Sequence, residues 1–459
     1  MNRTQRGRIG FAGVALAAAV LVGCGGGGDS DPVRGGVVGI DNIATLTRAQ
    51  FDAAPTAALT GPAVCDVTTR RVRYQTLAPG GAFATASTAV MVPTGTDARC
   101  TGARPVVLYA HGTTTLKSYN IADIVNNGEG SLVAAMYAAQ GFIVVAPNYL
   151  GYDTSSLAYH PYLNAEAQAI DMIDGLRAAS GYLRSSSTVV PSGRLFVAGY
   201  SQGGHVAMAV HKVIERDHAS EFTVLGSVPM SGPYNLVQFG DVVTGPGPIN
   251  GGATIFVPLL LTSFQRAYGD IYTTPADVYQ APFAATAETL FPTDTPVDTL
   301  KAQGRLPAPD PASTQLFGTG GLLTDAFRAG YATSAYRRAL QRNTLITVAG
   351  VAGTQWTPRS AMALCGGAQD PVVFWSVNTP VAAADFNSRR PTAAAIPAWD
   401  LENRSSLPTG PAGDAVFAGW QQTKTAAGAN LQAQYHGAVA PFCNRLARGL
   451  FEALLAPTP

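Results

Sequence analysis

Charged residues are scarce in this sequence. Asp, Glu, Lys and Arg make up 13% of the 459 residues, and the 30 basic and 29 acidic side chains nearly cancel to a net charge of +1. A chain this neutral has neither the basic patch that attracts nucleic acid nor a polybasic segment that attracts anionic lipid. We therefore expect no nucleic-acid partner.

The usual signatures of metal and cofactor binding are absent as well. The sequence has no His-Glu-x-x-His motif, no Cys/His cluster at zinc spacing, no Walker A loop and no dinucleotide-binding fingerprint. We expect a reaction that needs neither metal nor cofactor. Apolar residues, in contrast, are plentiful at 47% of the chain. They are sufficient for a large core, in one domain with an insertion or in two domains.

The N-terminus has the pattern of an export signal. Three arginines among the first eight residues precede an apolar run over residues 11–22, which is short for a membrane-spanning helix. The run ends in Leu21-Val22-Gly23-Cys24, which resembles the lipobox of bacterial lipoproteins. The resemblance implies that residues 1–23 are a signal peptide and that Cys24 is diacylated and anchors the protein to a membrane. An ordinary secretory signal with an incidental cysteine is the alternative.

The segment after the lipobox is predicted to be a tether. Residues 24–45 begin with a run of glycines directly after Cys24, a composition typical of flexible linkers. By analogy with lipoproteins, the absence of Asp directly after Cys24 implies the outer membrane of a Gram-negative host, on its periplasmic or surface face.

Four cysteines remain beyond the tether. An even number of cysteines in an exported chain predicts two disulfides, for which three pairings are possible. We favour the pairs Cys65–Cys100 and Cys365–Cys443. Free buried thiols are the alternative.

The order of apolar segments predicts an α/β fold. Residues 72–76 and 87–92, separated by a Pro-Gly-Gly turn, predict an antiparallel pair. Later strands are apolar throughout and alternate with helices, which indicates a mostly parallel sheet with helices on both faces. These strands are predicted over residues 106–110, 142–146, 195–198, 222–228, 361–364 and 431–435, and the helices over residues 131–140, 164–179, 202–217 and the C-terminal segment through 455.

The alternation breaks between residues 237 and 358. This stretch is rich in Pro and Gly, and its clearest helical pattern covers residues 322–342. An insertion of this length in a regular sheet protein favours a cap over an active site. We predict a catalytic domain over residues 46–459, interrupted by a largely helical cap over residues 237–358.

The segment Gly199-Tyr200-Ser201-Gln202-Gly203 has the Gly-x-Ser-x-Gly form of a nucleophile elbow. In such an elbow the serine lies on a strained turn between a strand and a helix, and the glycines allow close approach of neighbouring backbone. The predicted strand before this segment and the predicted helix after it supply that context. Ser201 is therefore the candidate nucleophile.

A serine hydroxyl needs a histidine to take its proton and an acid to orient that histidine. In hydrolases with this elbow the chain order is Ser, acid, His, and His436 is the one histidine beyond the insertion. Asp370 follows a predicted strand, where ligand sites form in parallel sheets, and is the favoured acid. Asp385 and Asp400 are its competitors, although neither follows a predicted apolar strand. A disulfide between Cys365 and Cys443 would hold the acid and the histidine in register.

The oxyanion that forms during acyl transfer needs preorganised N–H donors. We expect one from the backbone of Gln202, directly after the nucleophile, and one from the backbone of Thr113, in the loop after the strand over residues 106–110. His111 in the same loop is interpreted as structural, and His205 as a packing residue.

Three further segments are distinctive: Ala146-Pro147-Asn148-Tyr149-Leu150-Gly151-Tyr152, His160-Pro161-Tyr162-Leu163 and Ser201-Gln202-Gly203-Gly204-His205. They resemble segments of α/β-hydrolases of the secretory-lipase type, including their bacterial lipoprotein relatives. The resemblance implies an α/β-hydrolase fold with an eight-stranded type of sheet, and a serine esterase or lipase that hydrolyses small-molecule or lipid esters. Ser201, Asp370 and His436 match its triad positions. Tyr149, Tyr152 and Tyr200 either line the pocket or pack in the core.

Other uses of the same three residues stay open at this point. A peptidase, an acyltransferase or an enzyme acting on extracellular polyester would need the same nucleophile, base and acid. A surface lipoprotein that only binds a ligand is a further alternative, although a binding role would not require the complete set.

Overall fold

The computed structural model describes residues 32–308, 315–390 and 394–456. The predicted signal peptide and Cys24 lie outside the described residues, as does the first part of the predicted tether. Among the described residues, no helix has the length and apolar character to cross a membrane.

The described residues form ten strands and fourteen helices, joined by loops and short 3-10 turns. The strands are β1 (Val37–Leu46), β2 (Asp66–Leu77), β3 (Phe83–Thr94), β4 (Ala103–Ala110), β5 (Ile143–Pro147), β6 (Val190–Tyr200), β7 (Val224–Met230), β8 (Ala361–Met362), β9 (Leu364–Gly366) and β10 (Ala398–Asp400). The helices are α1 (Arg48–Asp52), α2 (Ala57–Thr60), α3 (Gly128–Met136), α4 (Ala165–Ser186), α5 (Gln202–Asp217), α6 (Leu236–Thr244), α7 (Ala253–Tyr268), α8 (Ala281–Ala284), α9 (Val297–Ala302), α10 (Asp325–Gly330), α11 (Ala335–Asn343), α12 (Thr379–Ser388), α13 (Pro411–Ala427) and α14 (Leu431–Leu455).

All ten described strands belong to one sheet. The order is β1-β2-β3-β5-β4-β6-β7-β9-β10, with β8 paired to β7 outside this path. The pairs that join β1, β2, β3 and β5 are antiparallel, and the pairs from β5 through β4 to β10 are parallel. The predicted α/β class with a mostly parallel sheet is confirmed, with two strands more than the eight expected.

The strand β4 illustrates why the parallel strands are apolar throughout. Val106 and Leu108 belong to the hydrophobic cluster on one face of the sheet, whereas Val107 and Tyr109 belong to the cluster on the other face. Side chains of a strand alternate between faces, so a sheet covered by helices on both sides requires apolar residues at every position.

The predicted tether was too long at its C-terminal end. Residues 37–46 form β1, which pairs antiparallel with β2 in a register that places Ile40 opposite Val72 and Leu46 opposite Val67. The prediction extended the glycine-rich composition of residues 25–28 over a segment that is rich in β-branched residues. Ile43 and Leu46 pack against the core, so this segment is part of the folded domain.

The predicted strand over residues 431–435 is also wrong, because these residues form the first turn of α14. Their alternation of apolar and polar residues imitates a strand. Leu, Gln and Ala are, however, good helix formers, and α14 continues from Leu431 to Leu455 although Pro441 lies within it. His436 therefore lies on a helix and not in a loop.

The helices α6 to α11 coincide with the predicted insertion, although α6 begins one residue before it, at Leu236. They have a hydrophobic cluster of their own, which includes Leu261, Phe264 and Leu300. The helical pattern predicted over residues 322–342 corresponds to α10 and α11 with a short 3-10 turn between them. Tyr162 and Leu163, from the segment before α4, also belong to this cluster. The insertion is thus packed against the sheet domain.

Two disulfides are present in the described part of the chain, and their pairing is the one favoured from the sequence. Cys65 bonds to Cys100, and Cys365 bonds to Cys443. The second bond links β9 to α14, which are 78 residues apart along the chain.

Candidate active site

Ser201 lies at the sharp turn between β6 and α5. Its backbone has φ 59° and ψ −121°, and a positive φ of this kind costs a non-glycine residue about 1–3 kcal/mol. The flanking glycines make the turn sterically possible. A Cβ at Gly199 would overlap the carbonyl oxygen of Gly203, and a Cβ at Gly203 would overlap that of Ala110. The N–H of Ser201 donates to the carbonyl of Met230 at 2.9 Å, which fixes the turn to β7.

The structure brings the three residues predicted for proton transfer into one hydrogen-bonded chain. The Oγ of Ser201 lies 2.8 Å from Nε2 of His436, and Nδ1 of His436 lies 2.6 Å from Oδ2 of Asp370. The other carboxylate oxygen of Asp370 accepts the N–H groups of Val372 and Val373 at 2.8 and 3.1 Å. Because the carboxylate accepts the hydrogen bond of the Nδ1–H group, the lone pair of Nε2 faces the serine hydroxyl and can receive its proton.

Two contacts fix His436 relative to its partners. The hydroxyl of Tyr200 donates to the backbone carbonyl of His436, and the two rings are 5.1 Å apart between centroids. The disulfide between Cys365 and Cys443 joins the strand before the Asp370 loop to the helix that bears His436, with a Cα–Cα distance of 5.7 Å. Both contacts limit movement of the imidazole away from the serine.

The two competing acids have other roles. Asp385 on α12 forms an ion pair at 2.6 Å with Arg389, the C-cap residue of that helix. Asp400 does end a strand, β10, contrary to the sequence interpretation, because a strand of three residues is too short to predict from alternation. Its carboxylate accepts the N–H of Ala368 at 2.9 Å and so supports the loop that carries Asp370.

The predicted oxyanion donors lie on the elbow and on the loop after β4. Within the described residues, neither the backbone N–H of Thr113 nor that of Gln202 is donated to a protein acceptor. The hydroxyls of Thr113 and Tyr162 are 2.9 Å apart. The preceding N–H, that of Gly112, is 3.0 and 3.2 Å from the two carboxylate oxygens of Glu129. Two N–H groups therefore remain available for a ligand.

Tyr149 and Tyr152, which lie in one of the segments that resemble lipases, stabilise the loop after β4 through their hydroxyls. The hydroxyl of Tyr149 donates to the carbonyl of His111 at 2.9 Å, and that of Tyr152 donates to the carbonyl of Thr114 at 2.6 Å. Neither of them, nor Tyr200, is among the residues that line the cavity beside Ser201. Of the two roles open to these tyrosines, packing is the one the structure supports.

Three buried histidines near the elbow face backbone carbonyls. A ring nitrogen of His111, His160 and His205 lies 2.7, 2.8 and 2.9 Å from its carbonyl oxygen, respectively. Burial lowers the pKa of each ring, to about 4 for His111 and His205 and to about 3 for His160. The rings therefore stay neutral near neutral pH, and their contacts are structural, as the sequence interpretation had it for His111 and His205. The carbonyls belong to Gly112, Leu150 and Asn343.

A narrow apolar cavity begins at Ser201 and Gln202 and extends between the sheet domain and the helices α6, α7 and α11. Its volume is about 70 Å³. Apolar side chains dominate its wall, so it suits a hydrocarbon group better than a charged one. Its apolar lining includes Leu163, Leu236, Phe239, Val243, Phe256, Val257, Leu260, Leu340, Val372 and Val373.

The sequence interpretation missed two residues that contact the site. Tyr162 lines the cavity and touches Thr113, and its position in a segment that resembles lipases was the available signal. Glu129 reaches the Thr113 loop from α3, and nothing in its local sequence separates it from a solvated residue of a first helical turn. Among the described residues, no three His, Cys, Asp or Glu side chains are grouped in a way that could hold a metal ion.

Comparison with solved structures gives extensive matches. A ligand-bound form of the rice cell wall degrading esterase LipA from Xanthomonas oryzae is 30% identical, with a TM-score of 0.71 over 88% of this chain and 98% of that one. The chain belongs to the α/β-hydrolase esterases and lipases. No protein-family model and no curated protein sequence matches it.

Two more distant α/β-hydrolase structures show the same fold. A protein of Legionella pneumophila assigned as a hydrolase is 19% identical, with a TM-score of 0.69 over 92% of this α/β-hydrolase and all of that chain. Candida antarctica lipase A in its closed state is 14% identical, with a TM-score of 0.55 over 90% and 91% of the two chains.

Proposed function

We propose that this α/β-hydrolase is a serine esterase of the lipase type that acts through Ser201, His436 and Asp370. The observation that carries the proposal is the unbroken hydrogen-bond chain from the Ser201 hydroxyl through His436 to Asp370. Ser201, at the start of this chain, lies on a strained turn between a strand and a helix. The membership in a family of esterases and lipases supports an ester as the substrate.

The proposed reaction has two halves. In the first, Oγ of Ser201 attacks the ester carbonyl carbon while Nε2 of His436 takes the hydroxyl proton, and this proton then leaves with the alcohol. In the second, His436 takes a proton from water, which attacks the acyl-enzyme, and returns it to Ser201 as the acid departs. Asp370 keeps the imidazole in the required tautomer throughout.

The negative charge on the carbonyl oxygen would be stabilised by the backbone N–H groups of Gln202 and Thr113. Both N–H groups lack a protein acceptor within the described residues, which is the state expected of donors reserved for a ligand. The acyl group would occupy the apolar cavity beside Ser201, and helices α6 to α11 would serve as the cap above it. The narrow cavity favours short or medium acyl groups over bulky ones.

We also propose export as a lipoprotein anchored through Cys24, with the outer membrane as its location. The lipobox-like segment supports the anchor, and the two disulfides support an oxidising compartment. Mass spectrometry of the membrane fraction tests the anchor: the N-terminal peptide should begin at Cys24 and carry acyl chains, and Cys24→Ala should release the protein into the soluble fraction.

The decisive experiment compares the full chain with Ser201→Ala on p-nitrophenyl acetate, butyrate, octanoate and laurate in detergent. Loss of a triad serine costs on the order of 10⁶ in kcat, so turnover should fall to background. Ser192→Ala is the matched control, since Ser192 is an exposed serine near the opposite end of the same strand. Equal turnover by Ser201→Ala and the wild type would remove Ser201 from the mechanism. Hydrolysis of peptide amides without ester turnover would instead identify a peptidase.

A further inference from the structure

Glu129 is an acidic residue that the proposed mechanism does not use. It lies in the first turn of α3 and points toward the loop after β4, with both of its carboxylate oxygens near the N–H of Gly112, at 3.0 and 3.2 Å. The hydroxyls of Tyr109 and Tyr119 also donate to it, at 3.0 and 3.4 Å. Three donors from β4 and its loop thus converge on one carboxylate.

This carboxylate has no countercharge. No cation in the described part of the chain pairs with it, and burial raises its pKa to about 7 although three donors oppose the shift. The helix does not need it as a cap, since the side chain of Asn127 already accepts the N–H of Gly130 at 2.8 Å. Burying a carboxylate without a countercharge costs free energy, and titratable side chains with shifted pKa values concentrate at functional sites.

The partner of Glu129 is the residue directly before the proposed oxyanion donor. Gly112 has unusual backbone freedom because it lacks a Cβ, and a Cβ built there would meet its nearest neighbours only at ordinary contact distances. Sterics alone therefore do not fix the peptide units on either side of Gly112. The contact of a His111 ring nitrogen with the Gly112 carbonyl, at 2.7 Å, restrains the peptide unit after Gly112, and the bonds from the Gly112 N–H to Glu129 restrain the unit before it. The orientation of the Thr113 N–H depends on both restraints.

We propose that Glu129, in its carboxylate form, is a positioning residue. Through its hydrogen bonds with the Gly112 N–H, it orients the Thr113 N–H toward the oxyanion. The inference rests on the proposed serine esterase function, because an oxyanion forms only in that reaction. Neutral contacts on the same loop, such as the one between Thr113 and Tyr162, cannot be switched by a proton, whereas the contact with Glu129 can.

The groups around Glu129 are otherwise unable to change charge near neutral pH. Tyr109 on β4, Tyr119 in the loop and Tyr149 after β5 all have their pKa raised by burial, and burial lowers the pKa of His111 to about 4. As pH falls through about 7, Glu129 gains a proton and turns one oxygen into a donor, which weakens its acceptance of the Gly112 N–H. Protonation of Glu129 should therefore lower kcat on the acidic side of the pH profile.

The test uses the full chain with Glu129→Gln, Glu129→Ala and the matched control Glu166→Gln. Glu166 also lies in the first turn of a helix, α4, but is exposed and contacts Arg216. We expect Glu129→Ala to lower kcat on p-nitrophenyl butyrate by about 10- to 100-fold with KM changed less than about twofold, because the loss falls on the transition state. Glu129→Gln should lower kcat by about tenfold above pH 8, and Glu166→Gln should match the wild type.

The pH dependence of kcat distinguishes a positioning role of Glu129 from a purely structural one. The acidic side of the wild-type kcat profile should contain one ionisation more than that of Glu129→Gln, since the amide does not titrate. Glu129→Gln preserves shape, and an unchanged thermal unfolding midpoint would show that it folds. Wild-type kcat in both Glu129 variants, or a loss confined to KM, would overturn the inference while leaving the esterase proposal intact. The absence of Ser201-dependent turnover in the wild type would overturn both.

Discussion

The bond between Cys365 and Cys443 offers a direct way to test how the site is held together. Replacing both residues by Ala removes the covalent link between β9, which leads into the Asp370 loop, and α14, which carries His436. The double variant Cys65→Ala/Cys100→Ala is a close control, because all four cysteines are buried and the same atoms are removed. The control bond joins the segment before β2 to the 3-10 turn before β4, away from Asp370 and His436.

Loop-closure entropy gives the expected loss of stability. For a separation of 78 residues the unfolded chain gains freedom worth roughly 4.5 kcal/mol at 25 °C, and for the 35 residues between Cys65 and Cys100 roughly 3.8 kcal/mol. The two losses differ by less than about 1 kcal/mol, so the two variants should unfold at similar urea concentrations, both below the wild type. Any large difference in kcat between them must then come from position and not from stability.

The assay is ester turnover at 25 °C without denaturant, where both variants are folded as judged by circular dichroism. Misplacement of a proton-transfer group by about 1 Å costs up to about 100-fold in rate, so we expect the Cys365/Cys443 variant to lose at least about tenfold in kcat. The control should stay within about twofold of the wild type. Equal kcat values in the two folded variants would refute the idea that this disulfide holds His436 and Asp370 in register.

Three further predictions concern the acid, the cavity and a buried histidine. Asp370→Asn should lower kcat by about 10⁴-fold with the fold intact, whereas Asp385→Asn should leave kcat within a few-fold, and the reverse pattern would reassign the acid. Val257→Phe should reduce kcat/KM for the laurate ester more than for the acetate ester because it narrows the cavity, and Ile255→Phe on the same helix, outside the cavity lining, should not change that ratio. Burial lowers the pKa of His205 to about 4, below its ordinary value, so the unfolded chain binds the extra proton and stability falls as pH drops from about 6.5 toward 4. His205→Gln should reduce the decline of the unfolding free energy between pH 7 and 5, measured by urea unfolding, by up to about 1.4 kcal/mol per pH unit, and an unchanged slope would exclude this source.

Where the sequence pattern has long, unambiguous periods, it predicts the structure closely. The helix predicted over residues 202–217 has the observed bounds of α5, and the strand–turn–helix context of Ser201 is present. Asn164, at the predicted start of α4, is its N-cap and accepts the N–H of Ala167 at 3.1 Å. These features are local, since they depend on residues within a few positions of one another.

The errors occur where a local pattern has two solutions and distant contacts choose between them. The alternation over residues 431–435 fits a strand in isolation, but the surrounding chain favours a helix, and α14 packs along the sheet from Tyr435 to Phe451. The strand β1 was not predicted because glycine-rich residues precede it and because its partner, β2, lies more than twenty residues further along the chain. Glu129 could not be predicted at all, because its role comes from a contact with Gly112 across a loop whose path the sequence does not specify.

Two carboxylates lie near the reacting groups: Asp370 contacts His436, and Glu129 contacts Gly112 in the loop after β4. The charge of Glu129 could therefore oppose the reaction instead of helping it. A negative charge forms on the substrate during acyl transfer, and a nearby carboxylate repels it. Repulsion and positioning predict opposite signs for the same substitution, however, because Glu129→Gln removes the charge and keeps the shape. If repulsion dominated, kcat of Glu129→Gln would rise above the wild type at high pH; if the carboxylate serves to orient Gly112, it falls. The contact geometry favours a lower kcat in Glu129→Gln. The Gly112 N–H points at both carboxylate oxygens, so the positive end of this N–H faces the negative charge of Glu129.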